Sequence, residues 1–292
     1  MRRLLIILLL TSSLFGAEYD KALAKVMAGR VGTAVVVNVA SGRILGAYRL
    51  DTAEWKLARP GSTFKPFTLL ALLESGQLNA NDTFTCRRNL HVGEHNLSCS
   101  HPQTGQPLDA VSALAYSCND FFATMGARLT AGQIQQIFRY YGFGSPSSLV
   151  AQEATGTIKP ATTDEERQLQ AIGEGDMRVT PLEMLAAYRK IATQRFERQA
   201  SEPMKVIFAG LEASTDYGMA RLASIKGLKV AGKTGTARTD QGTWSNAWFA
   251  GYAPANNPEI ALVVFLEKGT GPGDAAPLAA EIFEALFHRG KH

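Results

Sequence analysis

The chain has 292 residues, 46% of them hydrophobic and 19% charged, with a formal net charge of +4. That balance suits a globular protein with a sizeable core and excludes a disordered or repetitive chain. The charge falls to +2 once Arg2 and Arg3 are set aside, too little and too dispersed for a nucleic-acid surface.

Met1-Arg2-Arg3, the apolar run Leu4 to Leu10 and the small pair Gly16-Ala17 predict a signal peptide over residues 1–17, or a short uncleaved anchor. The run is well short of the roughly 20 apolar residues that span a membrane. Export would place the protein in the periplasm or on the outer face of the cytoplasmic membrane, an oxidising compartment. A helix is expected over Glu18 to Ala28. Thr33 to Val39 and Arg43 to Tyr48 then alternate around Ala40-Ser41-Gly42 as an antiparallel hairpin.

Pro60-Gly61-Ser62-Thr63-Phe64-Lys65-Pro66-Phe67 leads into the apolar run Leu69 to Leu73, closed by Gly76. The pattern predicts a central helix starting at about Ser62, because proline is tolerated only in a first turn. Positions i and i+3 share a helix face, so the Lys65 amine falls beside the Ser62 hydroxyl. A helix N-terminus stabilises negative charge on a reacting oxygen and disfavours an ammonium beside it. Ser62 and Lys65 thus read as a nucleophile with its base, against the plainer reading of a cap and a surface lysine.

Cys86 and Cys99 flank a segment that alternates around Gly93 as a small hairpin. They are expected to form a disulfide. Zinc bound with His91, His95 and His101, or unpaired thiols, are the competing readings. Asp109 caps a helix through Ala115 that delivers Ser117-Cys118-Asn119, with Cys118 read as buried packing. Helices follow over Asp120 to Leu129 and from Thr130 to near Gly142. Residues 143–165 read as a long loop walling the site, with Glu174 and Asp176 shaping the loop before the next helix. Thr180-Pro181-Leu182-Glu183 starts that helix, which runs to about Thr193. Lys229 to Ala237, Trp244 to Ala253 and Ile260 to Leu266 read as strands, and Ala276 to Phe287 as a closing helix. The assembly expected is α/β (α+β): one antiparallel sheet flanked by terminal helices, with an all-helical subdomain at 62–225 inserted between sheet segments 31–49 and 229–266.

Lys233-Thr234-Gly235-Thr236 lies on the first late strand, where Gly235 would let a ligand backbone approach closely. Ser-x-x-Lys, Ser-x-Asn and Lys-Thr-Gly, in this order, resemble the motif set of the penicillin-binding transpeptidase family, the serine penicillin-recognising enzymes. The likeness extends through Tyr141-Gly142-Phe143-Gly144, Ile172 to Asp176, Val179-Thr180-Pro181 and Ala247 to Tyr252, most of residues 59–266. It implies a catalytic domain over 18–292 with a lactamase/transpeptidase-like fold. It further implies Ser62 as the acylated nucleophile and Lys65 as base, with Ser117 and Asn119 relaying protons and holding the substrate amide. Lys233, Thr234, Gly235 and Thr236 would bind its terminal carboxylate, and the N–H groups of Ser62 and Thr236 would form an oxyanion hole. The implied activity is D,D-transpeptidase or D,D-carboxypeptidase action on D-Ala-D-Ala stem peptides of peptidoglycan. No metal or cofactor is expected, β-lactams would act as covalent inhibitors, and a cell-wall synthesis protein is the expected partner. A class D-like lactamase, whose Ser-x-Val and Tyr-Gly-Asn motifs this chain lacks, and a non-catalytic sensor are the alternatives.

Overall fold

A computed structural model describes residues 16–197 and 199–287. The expected signal segment lies outside the described residues except for Gly16 and Ala17, which open the first helix, α1 (16–26). The hairpin of β1 (Gly32–Asn38) and β2 (Ile44–Tyr48) follows, then the short α2 (Leu50–Trp55). A 3-10 turn, Gly61–Phe64, runs into α3 (Lys65–Glu74), with Pro66 in its first turn. The predicted helix thus starts at the right place, but its opening turn is 3-10 and the α-helix begins at Lys65.

Next come the small hairpin β3 (His91–Val92) and β4 (His95–Asn96), then α4 (Ala110–Ala115), α5 (Asn119–Gly126) and α6 (Ala131–Tyr140). Asp109 and Thr130 cap α4 and α6 with reciprocal side-chain bonds from Ser112 and Gln133. Strand β5 (Thr157–Ile158), α7 (Asp164–Ala171), β6 (Met177–Arg178), α8 (Pro181–Thr193) and α9 (Glu202–Asp216) complete the helical block. The chain closes with β7 (Ala231–Arg238), β8 (Ser245–Ala253), β9 (Ile260–Leu266), a π-helical turn (Gly271–Ala275) and α10 (Ala276–Phe287). Among the described residues, no helix is long and apolar enough to cross a membrane.

The sheet has the order β2-β1-β9-β8-β7, and every neighbouring pair is antiparallel. Strand β9 is apolar throughout because both of its faces are covered. Leu262, Val264 and Leu266 pack with Leu23 of α1 and Ile282 and Phe283 of α10, while Ala261, Val263 and Phe265 face α8 and the helical block. Helix α3 is buried nearly all round among α4, α5, α6 and α9, which explains its continuous apolar sequence. The 3-10 turn ahead of it meets the edge strand β7.

Three helices, α2, α7 and α9, were not read from the sequence. Thr163 and Glu166 cap α7 reciprocally, the same Thr-x-x-Glu signal that marks α8, and Ser201 with Pro203 marks α9. The 143–165 segment does not wall the site. Gly144 and Gly156 instead donate N–H bonds of 3.0 and 3.1 Å to the buried Glu183 carboxylate, which also accepts from Thr180 N–H at 2.7 Å. Burial raises the Glu183 pKa, and these N–H groups oppose it. Glu183→Ala orphans three N–H groups and is expected to lower unfolding free energy by about 3 kcal/mol or more in urea titration. A loss below about 1 kcal/mol would mean the loop is held by other contacts.

Candidate active site

Ser62 sits in the 3-10 turn and lines a cleft of about 150 Å³ with Ser117, Asn119, Thr234 and Thr236. Larger concavities occur elsewhere on the molecule, but this one collects the three motifs. Ser100, Met219 and Pro272 also line it. No sequence signal marks these three, which reach the cleft only through the folding of distant loops.

The turn is held on several sides. Tyr188 Oη donates to Thr63 O at 2.9 Å, Trp248 Nε1 to Arg59 O at 3.0 Å, and Gly61 N–H to Gly173 O at 2.9 Å. A Cβ at Gly173 would lie 1.9 Å from Gly61 O, and one at Gly235 would lie 2.7 Å from Pro60 O. The space a side chain would take at Gly235 is therefore filled by the protein's own serine turn, not by a ligand backbone as the sequence suggested. Likewise, a Cβ at Gly61 would lie 2.9 Å from Thr236 O. The Thr236 carbonyl therefore faces the turn and not β8. In an antiparallel ladder a residue presents N–H and C=O to the same side, so Thr236 N–H also points away from β8, on the side of the serine turn.

Lys65 is fully buried. Its Nζ donates to Ser117 O at 2.7 Å, Ser117 Oγ at 3.2 Å and Asn119 Oδ1 at 2.6 Å, while Ser62 Oγ has no hydrogen-bond partner among the described residues. The serine hydroxyl is thus free in the cleft and the lysine is anchored from behind. Burial pulls the Lys65 pKa down to about 8, against the opposing influence of Cys99, Cys118 and Glu174. Ser117 has φ of 57°, a left-handed conformation costly for a non-glycine residue and a common mark of functional sites. That turn aims both its carbonyl and its hydroxyl at Lys65.

Lys233, also fully buried, donates to Thr234 O at 3.1 Å, and both its burial and the nearby Lys65 depress its pKa strongly. Thr236 Oγ1 accepts from Gly271 N–H at 2.9 Å. Glu174 stands behind the site near Arg59, its pKa raised to about 7 by burial, and Asp176 pairs with Lys159 on the surface. Neither lines the cleft.

The cysteines depart from expectation. Cys86, Cys99 and Cys118 are all free, and Cys86 Sγ lies 3.6 Å from Cys99 Sγ, beyond the roughly 2.05 Å of a disulfide. Cys118, read as packing alone, joins them with its Sγ 3.8 Å from that of Cys99. His101 completes a compact group, whereas His91 and His95 are exposed and take no part. Of all the described residues, these four offer a metal the most complete ligand set.

Residues 32–288 match the family model for the penicillin binding protein transpeptidase domain. The chain belongs to that family. Among curated relatives of this transpeptidase family, stage V sporulation protein D of Bacillus subtilis is 28% identical, over 85% of this chain and 48% of its own. Peptidoglycan D,D-transpeptidase PbpA of Mycolicibacterium smegmatis is 25% identical over 79% of this chain and 55% of its own. The chain thus spans about half the length of these relatives. The D,D-transpeptidase domain of a peptidoglycan glycosyltransferase from Eggerthella lenta shares the fold with a TM-score of 0.80 and 21% identity, over 94% of this chain and 82% of that one. Penicillin-binding protein PBP2 of Helicobacter pylori, solved in complex with MreC, gives 0.82 and 19%, over 94% and 63%.

Packing of the serine turn against two glycines yields a graded expectation. Gly173 and Gly76 have similar φ values of 80° and 69°, but a Cβ at Gly76 meets open space. Alanine at either position carries the left-handed penalty of about 1–2 kcal/mol. Gly173→Ala should exceed Gly76→Ala by at least about 1 kcal/mol in urea unfolding, through displacement of Gly61. Equal losses would show that the turn is not wedged against Gly173.

Proposed function

We propose that the chain is a serine acyl-transfer enzyme acting on D-Ala-D-Ala stem peptides of peptidoglycan, as a D,D-transpeptidase or D,D-carboxypeptidase, and that β-lactams acylate it. The observation that carries this is a free Ser62 hydroxyl at the base of a cleft shared with Ser117, Asn119, Thr234 and Thr236, with a buried, pKa-depressed Lys65 on the adjoining turn. At a pKa of about 8 roughly a tenth of Lys65 is neutral at pH 7, enough to serve as a base.

In this reading Lys233, Thr234 and Thr236 receive the terminal carboxylate of the donor peptide, Gly235 gives the serine turn room beside them, and Asn119 holds the amide. Ser62 Oγ attacks the carbonyl of the penultimate D-alanine while its proton passes to Lys65. The N–H groups of Ser62 and Thr236 stabilise the resulting oxyanion. The C–N bond then breaks, the departing D-alanine amine takes a proton relayed through Ser117, and an acyl ester remains on Ser62. An acceptor amine, or water in a carboxypeptidase, resolves the ester. A β-lactam follows the same path, but its leaving nitrogen stays tethered after ring opening. Among the described residues, those lining the cleft carry no carboxylate to activate water on that ester, which favours this reading over a lactamase.

We further propose that residues 18–292 form one catalytic domain, with 62–225 as its helical insertion, exported by the 1–17 segment to the periplasm or the outer membrane face. A cell-wall synthesis protein is the partner suggested by the complex of the Helicobacter pylori relative with MreC.

Labelled penicillin tests this reading. A single adduct is expected on Ser62 by peptide mapping, with an acylation rate that rises about tenfold per pH unit below 8 and levels off above, as Lys65 loses its proton. Lys65→Arg, which keeps the charge but cannot give up a proton, should abolish the adduct. Hydrolysis of a chromogenic cephalosporin should stay far below the ~10 s⁻¹ of a typical enzyme on its own substrate. An adduct elsewhere, a flat pH profile, or fast turnover lost in Ser62→Ala would each overturn the assignment.

A further inference from the structure

Cys86, the Cys99–His101 pair and Cys118 come from three separate stretches of the chain yet present their ligand atoms within 4.8 Å of one another. Cys86 precedes the β3–β4 hairpin, Cys99 and His101 follow it, and Cys118 stands between Ser117 and Asn119 as the N-cap of α5. Cys86 Sγ is 3.6 Å from Cys99 Sγ and 3.6 Å from His101 Nε2, and Cys99 Sγ is 3.8 Å from Cys118 Sγ. Sulfurs about 2.3 Å and a nitrogen about 2.0 Å from a common tetrahedral centre stand about 3.8 Å apart, sulfur to sulfur, and about 3.5 Å apart, sulfur to nitrogen. Three of the six separations lie close to the edges of such a tetrahedron, and the remaining pairs stay within 4.8 Å.

The surroundings fit the same geometry. His101 Nδ1 lies 2.7 Å from Pro102 O, so that nitrogen carries the proton and donates it, leaving the Nε2 lone pair facing the sulfurs. Cys99 Sγ accepts Asp120 N–H at 3.5 Å and Cys118 Sγ accepts Phe121 N–H at 3.4 Å, bonds that stabilise thiolates. Cys99, His101 and Cys118 are buried and Cys86 half-buried, so all four positions of the tetrahedron belong to the protein. A disulfide would use two of the three sulfurs and leave the third thiol and the imidazole without a role.

We propose that these four residues form a Cys3His zinc site. Three soft thiolates and an imidazole select zinc over the hard cations magnesium and calcium, and a closed four-ligand shell is structural, not catalytic. Binding releases three thiol protons to solvent and leaves one net negative charge on the complex. The metal ties the segment from Cys86 to His101 onto the Ser117–Asn119 turn. Asn119 Nδ2 already donates to Leu97 O at 2.8 Å, and Arg87 holds Asp120 beside it, so the ion completes a strap across the second motif. Metal binding itself does not depend on the acyl-transfer reading.

The test uses the full chain purified with Zn²⁺ present. Native mass spectrometry and metal analysis should find one zinc per chain, and three thiols that react with a thiol reagent only after chelation. Replacement by Co²⁺ should give thiolate charge-transfer bands and the intense visible bands of a tetrahedral site. Cys86→Ser and His101→Ala should each weaken zinc affinity by about 100-fold or more. Chelation of the unmutated chain should raise amide hydrogen exchange in 86–101 and 117–121, a readout that stands even if a variant fails to fold. A disulfide between any two of these cysteines in zinc-prepared protein, three freely reactive thiols without stoichiometric metal, unchanged cobalt spectra in folded variants, or unchanged exchange on chelation would overturn the proposal.

Discussion

A lysine amine removed entirely from water governs this site. Burying an ammonium costs several kcal/mol unless it is well partnered, and Lys65 answers that cost with short bonds to Ser117 O and Asn119 Oδ1. The residual penalty appears as a pKa of about 8 in place of 10.5, a differential of about 3 kcal/mol between its charged and neutral forms. Because the folded-state value is the lower one, this lysine favours folding as pH rises from about 8 toward 10.5, and the gain is lost as pH falls through 8. The same desolvation that weakens the charged fold makes the neutral amine available as a base near physiological pH. The charge of Lys65 in turn helps depress the pKa of Lys233, which is buried nearby.

Burial of Lys65 depends on the fold bringing three distant segments together without side chains in the way. The serine turn leans on the edge of β7 and on the Gly173 loop, and glycine stands at each meeting point. The Ser117 turn adopts a left-handed conformation to aim its carbonyl at the amine, and α5 starts directly after it. Because β7 is the outer strand, its unpaired side is free to form one wall of the cleft. A sheet covered on both faces by helices supplies the rigidity that this arrangement needs, with α8 fixing the serine turn through Tyr188.

Much of this was legible in the chain. Alternation and apolar runs marked all five sheet strands, and Asp109, Thr130 and Thr180 marked their helices, because capping and periodicity are local physics. The grouping of Ser62, Lys65, Ser117, Asn119, Thr234 and Thr236 was legible through the motif resemblance. Long-range consequences were not. Gly235 reads identically whether a ligand or the protein's own Pro60 carbonyl approaches it. Cys118 alternates like a packing residue, and only the fold sets its sulfur beside Cys99. Helix α7 was missed although Thr163 and Glu166 carry the same capping pattern as α8, because the segment before it is rich in loop-forming residues.

Turnover of a stem pentapeptide ending in D-Ala-D-Ala tests the central claim most directly. Incubation with the peptide, with and without an amine acceptor, should release one D-alanine per event and leave an acyl-Ser62 ester that mass spectrometry traps on rapid acid quench. Ser62→Ala should release none. Absence of both D-alanine release and a trapped ester from folded protein that takes penicillin would contradict the account, leaving a lactam-binding fold without acyl transfer to peptides.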